Sequence, residues 1–284
     1  MSEPCRRARG AALAGRARAE SLISGEYPVR AQGLGLEYVG LREYAPGDDF
    51  RRIDWKASAR VGLGLERLFV REYSAERRVR LVYLVDLTAS MRFKGKLEAL
   101  LYVLALHARI SEALRDEVAL VVLSDSVQRW GFSRPTAAVE RVLERVCRGE
   151  VGGSLDLGEA LEALAAYARG LPLAVYTDYA NSAEGFARVH AFSRASGGRA
   201  RFYVLATPGE KGSVSAPWSL PLFEEESSAR GLGPLEELAS GARRHIALLR
   251  GRLPPRSLIE VPALGGPPRL RVLVLSYLEL RRKA

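Results

Sequence analysis

From residue 79 onward the chain alternates short, continuous apolar runs with longer segments in which apolar residues recur every three or four positions. The short runs are rich in Val and Leu and show no in/out alternation, which predicts strands buried on both faces. The longer ones predict helices. Strands are expected at residues 79–85 (VRLVYLV), 118–123 (VALVVL), 172–176 (PLAVY) and 202–206 (FYVLA), with a terminal strand at 270–275 (LRVLVL). Helices are expected over 96–116, 135–147, 184–196 and 234–250. Another should begin at Asp156, an N-cap with Glu159 three residues on, and stop at Gly170. The 96–116 segment is apolar almost all round, with a thin polar stripe through Glu98, Arg109, Glu112 and Asp116, so it is expected to be deeply buried. Strands and helices in this rhythm predict an α/β fold: a doubly wound, mostly parallel sheet with helices on both faces.

The first 78 residues do not continue the rhythm. Residues 6–23 are rich in Ala and Arg and read as a helix. Gly33, Gly35, Gly40, Pro46 and Gly47 then break the chain, and residues 65–73 (LERLFVREY) read as an extended segment at a sheet edge. Too little regular structure is expected here for an independent core. The reading is therefore an N-terminal extension, residues 1–78, packed on an α/β domain with a C-terminal tail, residues 79–284. Residues 209–233 read as a long loop.

Charge changes this picture in one place. The net charge is +10, and residues 1–80 carry 15 Arg and Lys56 against 11 acidic residues, half of the excess. Such a region could attract nucleic acid or an acidic partner surface. No aromatic-interleaved or groove-reading motif accompanies it, so a solvated basic surface is the favoured reading. The chain has two cysteines, Cys5 near an expected frayed terminus and Cys147 near a helix end, too few for a disulfide framework or a cysteine-based zinc site. No apolar stretch is long enough to span a bilayer and no export segment is evident, so a reducing cytoplasmic location is the expectation.

Candidate chemistry lies where strands end, because doubly wound sheets bind ligands at the carboxyl edge near the reversal of strand order. The first strand runs into Asp86-Leu87-Thr88-Ala89-Ser90, which places one carboxylate and two hydroxyls in a single turn. Ser154, after Gly152-Gly153, and Asp178, after the 172–176 strand, fall at equivalent ends. Few carboxylates with several hydroxyls form an oxygen shell suited to Mg2+, with Mn2+ or Ca2+ as chemically related alternatives. His107, His190 and His245 are scattered along expected helices and do not suggest a zinc site.

Asp86, Thr88, Ser90, Ser154 and Asp178, in that order, resemble the metal-ion-dependent adhesion site of von Willebrand factor A-like domains. Thr88 and Ser154 stand where that pattern has Ser and Thr, and both substitutions retain a hydroxyl. Residues 38–60, YVGLREYAPGDDFRRIDWKASAR, resemble the signature of the bacterial domain-of-unknown-function 58 family, which precedes a von Willebrand-like domain. The resemblance runs from about Gly33 to Tyr179 and fades after residue 213. It implies a partner among MoxR-type AAA+ ATPases and a role as an adaptor or chaperone component.

The expected function is accordingly a metal-dependent protein-binding module. Asp86, Thr88, Ser90, Ser154 and Asp178 would hold magnesium, and an acidic side chain of the partner would fill an open position. A phosphoester hydrolase using the same aspartates is the enzymatic alternative, but the sequence shows no obvious base for it. Binding of nucleic acid or an acidic surface through the basic N-terminal region is the third reading. Within the signature, Asp48, Asp49, Arg51, Arg52, Asp54 and Trp55 form a candidate partner surface. The favoured alternative for that cluster is a structural turn, with Trp55 packed on the main domain.

Overall fold

The structure, a computed structural model, describes residues 2–23, 36–45, 53–55, 57–58, 68–75, 78–93, 95–207, 235–263 and 269–282. The chain forms two compact units, one made of Met1–Val29 with Arg78–Ala284 and the other of Arg30–Arg77.

The larger unit is a six-stranded, mostly parallel α/β sheet. Its strands are β3 (Arg80–Asp86), β4 (Glu117–Leu123), β5 (Val127–Ser133), β6 (Pro172–Asp178), β7 (Arg199–Ala206) and β8 (Leu258–Pro262), in spatial order β5-β4-β3-β6-β7-β8. Only β5 runs antiparallel, paired with β4. The chain winds outward from β3 to β4 and β5, then crosses back to β6 and winds the other way. Strand order therefore reverses between β3 and β6, and the doubly wound fold expected from the sequence is present.

Apolar runs in β3, β4 and β6 are unbroken because both faces are covered. From β3, Val82 and Leu84 enter a core shared with Leu157, Leu164, Phe186 and Leu249. That face is covered by α4 (Leu161–Tyr167, entered through a 3-10 turn at Leu157–Ala160), α5 (Ala183–Ala195) and α6 (Leu235–Arg252). The opposite face meets α2 (Lys96–Ala113) and α7 (Leu270–Arg282). The α2 helix is apolar all round because it is buried twice, once by the sheet and once by α1 (Glu3–Ile23), which packs along its outer side. Ala8, Ala12, Gly15 and Ala19 of α1 are buried, and a Cβ on Gly15 would stand 2.1 Å from the Tyr102 carbonyl oxygen. Only glycine permits that approach.

Several expectations are corrected. Residues 270–275 are the first half of helix α7, not a strand; Leu273, Val274, Tyr277, Leu278 and Arg281 are buried at helical spacing. The described part of the 65–73 segment is extended at a sheet edge as expected, but that sheet is a two-stranded one in the smaller unit, in which β2 (Phe69–Ala75) pairs antiparallel with β1 (Leu36–Glu43). Helix α1, part of the extension expected to pack on the α/β domain, falls in the unit that contains the large sheet. Cys5 is not at a frayed end: it is 2% exposed and joined to Cys147 in a disulfide with Cα atoms 4.5 Å apart. The partner cysteine lies on α3 (Pro135–Arg148), 142 positions away, so the pair forms only because α1 crosses α2 to reach the end of α3. The 209–233 loop lies outside the described residues.

Candidate functional site

The turn after β3 and the turn after β6 meet at the point where strand order reverses. Asp86, the last residue of β3, is fully buried. Its Oδ1 accepts hydrogen bonds from the Thr88 N–H at 2.9 Å and the Thr88 hydroxyl at 2.6 Å; its Oδ2 accepts from the Thr177 hydroxyl and the Asn181 amide, each at 2.7 Å. Burial first, and then the charge of Asp178, hold the Asp86 carboxyl above the ordinary carboxylate range, against the hydrogen bonds from Thr88 and Thr177.

Thr88 has the extended backbone of an N-cap residue before the 3-10 turn Ala89–Arg92, yet its side chain does not cap that turn. Its proton goes to Asp86, and its oxygen lies 3.3 Å from the Ser90 hydroxyl. A hydroxyl that donates to a carboxylate keeps its lone pairs free for a cation. Ser90 is 1% exposed, whereas Ser154 stands exposed at the mouth of the cleft. The loop carrying Ser154 is tied to the β3 turn by Gly152 N–H to Leu87 O and Ala89 N–H to Gly153 O, and Arg92 donates to Val151 O at 2.8 Å. Gly153 has φ +80°, and a Cβ there would meet the Ser124 carbonyl at 2.4 Å, so this loop requires glycine.

Asp178, at the end of β6, is also fully buried. Its Oδ1 accepts from the Ala180 N–H, and its Oδ2 sits 2.6 Å from the Lys96 ammonium. Asp156 fulfils its expected capping role, accepting from Gly158 N–H with one oxygen and from Ser182 N–H with the other. Together Thr88, Ala89, Ser90, Gly153, Ser154, Leu155, Asp156, Ala180 and Asn181 line a cleft of about 290 Å³. Asp86 and Asp178 lie beneath it.

Thus the structure places Thr88, Ser90 and Ser154 on one cleft and sets the two aspartates behind them. Three participants were missed from sequence: Thr177, Asn181 and Lys96. Asn181 joins both sides, donating to Asp86 and to the Thr177 hydroxyl while its own oxygen accepts from Leu157 N–H. The sequence did hold a signal for Lys96, one of only five lysines in a chain whose other cationic residues are arginine.

The donor set can be tested against an oxygen-bound divalent ion. Adjacent oxygens on an octahedral magnesium with bonds of about 2.1 Å stand about 3.0 Å apart, close to the 3.3 Å between the Thr88 and Ser90 hydroxyls. The two Asp86 oxygens already accept four donors, which fills them, so Asp86 fits better as the acceptor that orients the Thr88 hydroxyl than as a direct ligand. Among the described residues, no three His, Cys, Asp or Glu side chains gather into a metal-holding group. A cation here would rely on the hydroxyls.

In the smaller unit, Asp48, Asp49, Arg51 and Arg52 lie outside the described residues. Asp54 accepts from Ala57 N–H, and the Ser58 hydroxyl receives the Phe69 N–H, so this segment is a hydrogen-bonded turn. Trp55 is 61% exposed, contrary to the expectation that it packs.

An α/β protein with an open, hydroxyl-lined cleft over two buried carboxylates is the class these features define. Residues 40–191, more than half of the chain, match the family described as protein of unknown function DUF58. The chain belongs to that family. No curated protein matches it. No helix among the described residues is long and apolar enough to cross a membrane.

Proposed function

We propose that the cleft binds a divalent cation, magnesium by preference, and through it an acidic side chain of a partner protein. The observation that carries this reading is the pairing of Thr88 and Ser90 hydroxyls at cis-ligand spacing directly above the Asp86 carboxylate that takes the Thr88 proton. Thr88, Ser90 and Ser154 would hold the ion, with Asp86 orienting the Thr88 hydroxyl and Asp178 adding negative charge beneath it. The bound ion would supply a localised positive charge to which a carboxylate can attach.

Two features favour binding over catalysis. Among the described residues, the carboxylate that lines the cleft is Asp156, and both of its oxygens accept backbone N–H groups, so it is not poised as a base. The buried His107 faces the other side of β6, against Tyr176. The basic N-terminal surface is a weaker candidate, because Arg7 and Arg16 of α1 are paired with Glu98 and Glu20. From the sequence resemblance, a MoxR-type AAA+ ATPase is the partner class to try first.

Calorimetric titration of magnesium into metal-free protein should give saturable binding that Asp86→Ala abolishes while circular dichroism stays native. Capture of the ATPase should then require magnesium and fail in EDTA. Equal binding by wild type and Asp86→Ala would refute the assignment.

A further inference from the structure

Lys96 is in an improbable place. It is 1% exposed, at the first position of α2, where the positive end of the helix dipole opposes a cation. Fully buried lysines are rare without a counter-charge, and this one has Asp178 at 2.6 Å, with the two side chains 2% and 0% exposed. The helix dipole and burial both disfavour a lysine here, so its presence points to the carboxylates it faces.

Formal charge shows what it does to the cleft. Among the described groups directly beneath the hydroxyls, Asp86 and Asp178 contribute two negative charges and Lys96 one positive, leaving one negative charge; Asp156, on the rim, has both oxygens taken by backbone N–H groups. A divalent cation would turn that into one positive charge, unfavourable in a buried setting until a monoanion arrives. Without Lys96 the same ion would be neutralised by the two aspartates alone, and a carboxylate ligand would gain little by joining it.

We propose that Lys96 makes cation binding at this cleft conditional on an anionic co-ligand, so that the metal and an acidic partner group bind as a pair. The inference rests on the cation reading above and assigns a coupling role to a residue outside the ligand set. Lys96 is a positioning and charge-setting residue here, since its ammonium pairs with Asp178.

The test is magnesium titration by calorimetry of the full chain at matched ionic strength, once in chloride and once in glutamate, whose carboxylate is the anion probe. Wild type should bind more tightly in glutamate. Lys96→Met should bind about tenfold or more tightly than wild type in chloride, the order expected for removing one buried charge near a divalent ion, and should lose the glutamate dependence. The double variant Lys96→Met/Asp178→Asn restores the wild-type net charge and removes the unpaired buried carboxylate that threatens folding of the single variant. Its chloride affinity should return toward that of wild type. If wild type binds magnesium equally in both salts and Lys96→Met does not tighten it, the coupling is refuted while the cation reading stands. If neither protein binds in either salt, both fall. Binding by Lys96→Met alone would support the charge role and overturn magnesium dependence in the native protein.

Discussion

Two buried polar clusters share the central strands of this sheet, and they have opposite designs. One lies at the carboxyl edge around Asp86. The other lies within the face covered by α2 and α7, where Tyr83, Tyr176, Tyr203, Tyr277 and His107 are all fully buried. The Tyr277 hydroxyl is 2.5 Å from those of Tyr83 and Ser111; His107 Nδ1 meets the Tyr176 hydroxyl at 3.0 Å, and its ring stacks on Tyr277 at 4.2 Å. Below them Arg281 donates through two nitrogens to Asp116, which also accepts from Val79 N–H. This second cluster joins α7 and α2 to the sheet and is sealed. The Asp86 cluster opens to a cleft through oxygens whose lone pairs remain available. Burial of polar groups marks both; access and uncommitted acceptors separate a site from a clamp.

The largest effect should come from breaking the clamp. Arg281→Ala leaves Asp116 buried without its guanidinium, a change that costs about 3–5 kcal/mol for pairs of this kind. Urea denaturation should show that loss, and under folding conditions magnesium binding at the cleft should be unchanged. A comparable loss of magnesium affinity would mean the two clusters are one coupled network.

Acid should attack the clamp next. Burial lowers the pKa of His107 to about 3 from its ordinary 6.5, with only a smaller upward pull from the Leu273 backbone. The folded state thus keeps the imidazole neutral where the unfolded chain takes up a proton. His107 stability is intact above about pH 6.5 and is lost progressively as the pH falls toward 3, by about 3 kcal/mol at pH 4.5. Other groups titrate in the same range, so the difference is the measurement: His107→Phe, which retains the stack on Tyr277, should unfold with a shallower acid dependence than wild type. Parallel pH profiles would show that His107 is not held neutral.

The contrast also explains what could be read from the sequence. Strands β3, β4, β6 and β7 were legible because burial on both faces makes their apolar runs continuous. The β5 strand, VQRWGFS, was missed because it is an edge strand with an exposed face that admits Arg129 and Gly131. Five-residue β8 carries Glu260, which is drawn to the Tyr179 hydroxyl and Arg250, and its pattern is too short to stand out. In α7 the apolar run at 270–275 imitates a strand, and the helical period emerges only when Tyr277, Leu278 and Arg281 are included. Asp86, Thr88 and Ser90 were legible because they are local to one turn. Thr177, Asn181 and Lys96 reach the same carboxylates from other elements, and the pairing of Cys5 with Cys147 likewise depends on how α1 crosses α2. Such relations follow from topology, which local pattern does not encode.

The smallest change in stability should come from Ser154→Ala. The Ser154 side chain is exposed at the mouth of the cleft, and the loop that carries it is held by backbone hydrogen bonds from Gly152 and Ala89 and by Arg92, none of which needs its hydroxyl. Surface substitutions away from caps and packing are worth within about 0.5 kcal/mol, so thermal unfolding should match wild type. Magnesium affinity should nevertheless fall, because on the proposed shell Ser154 contributes an oxygen from the loop opposite Thr88 and Ser90. An unchanged affinity would confine the cation to the β3 turn and remove Ser154 from the shell. A stability loss of several kcal/mol would instead make this serine part of the scaffold, and the open cluster would resemble the sealed one after all.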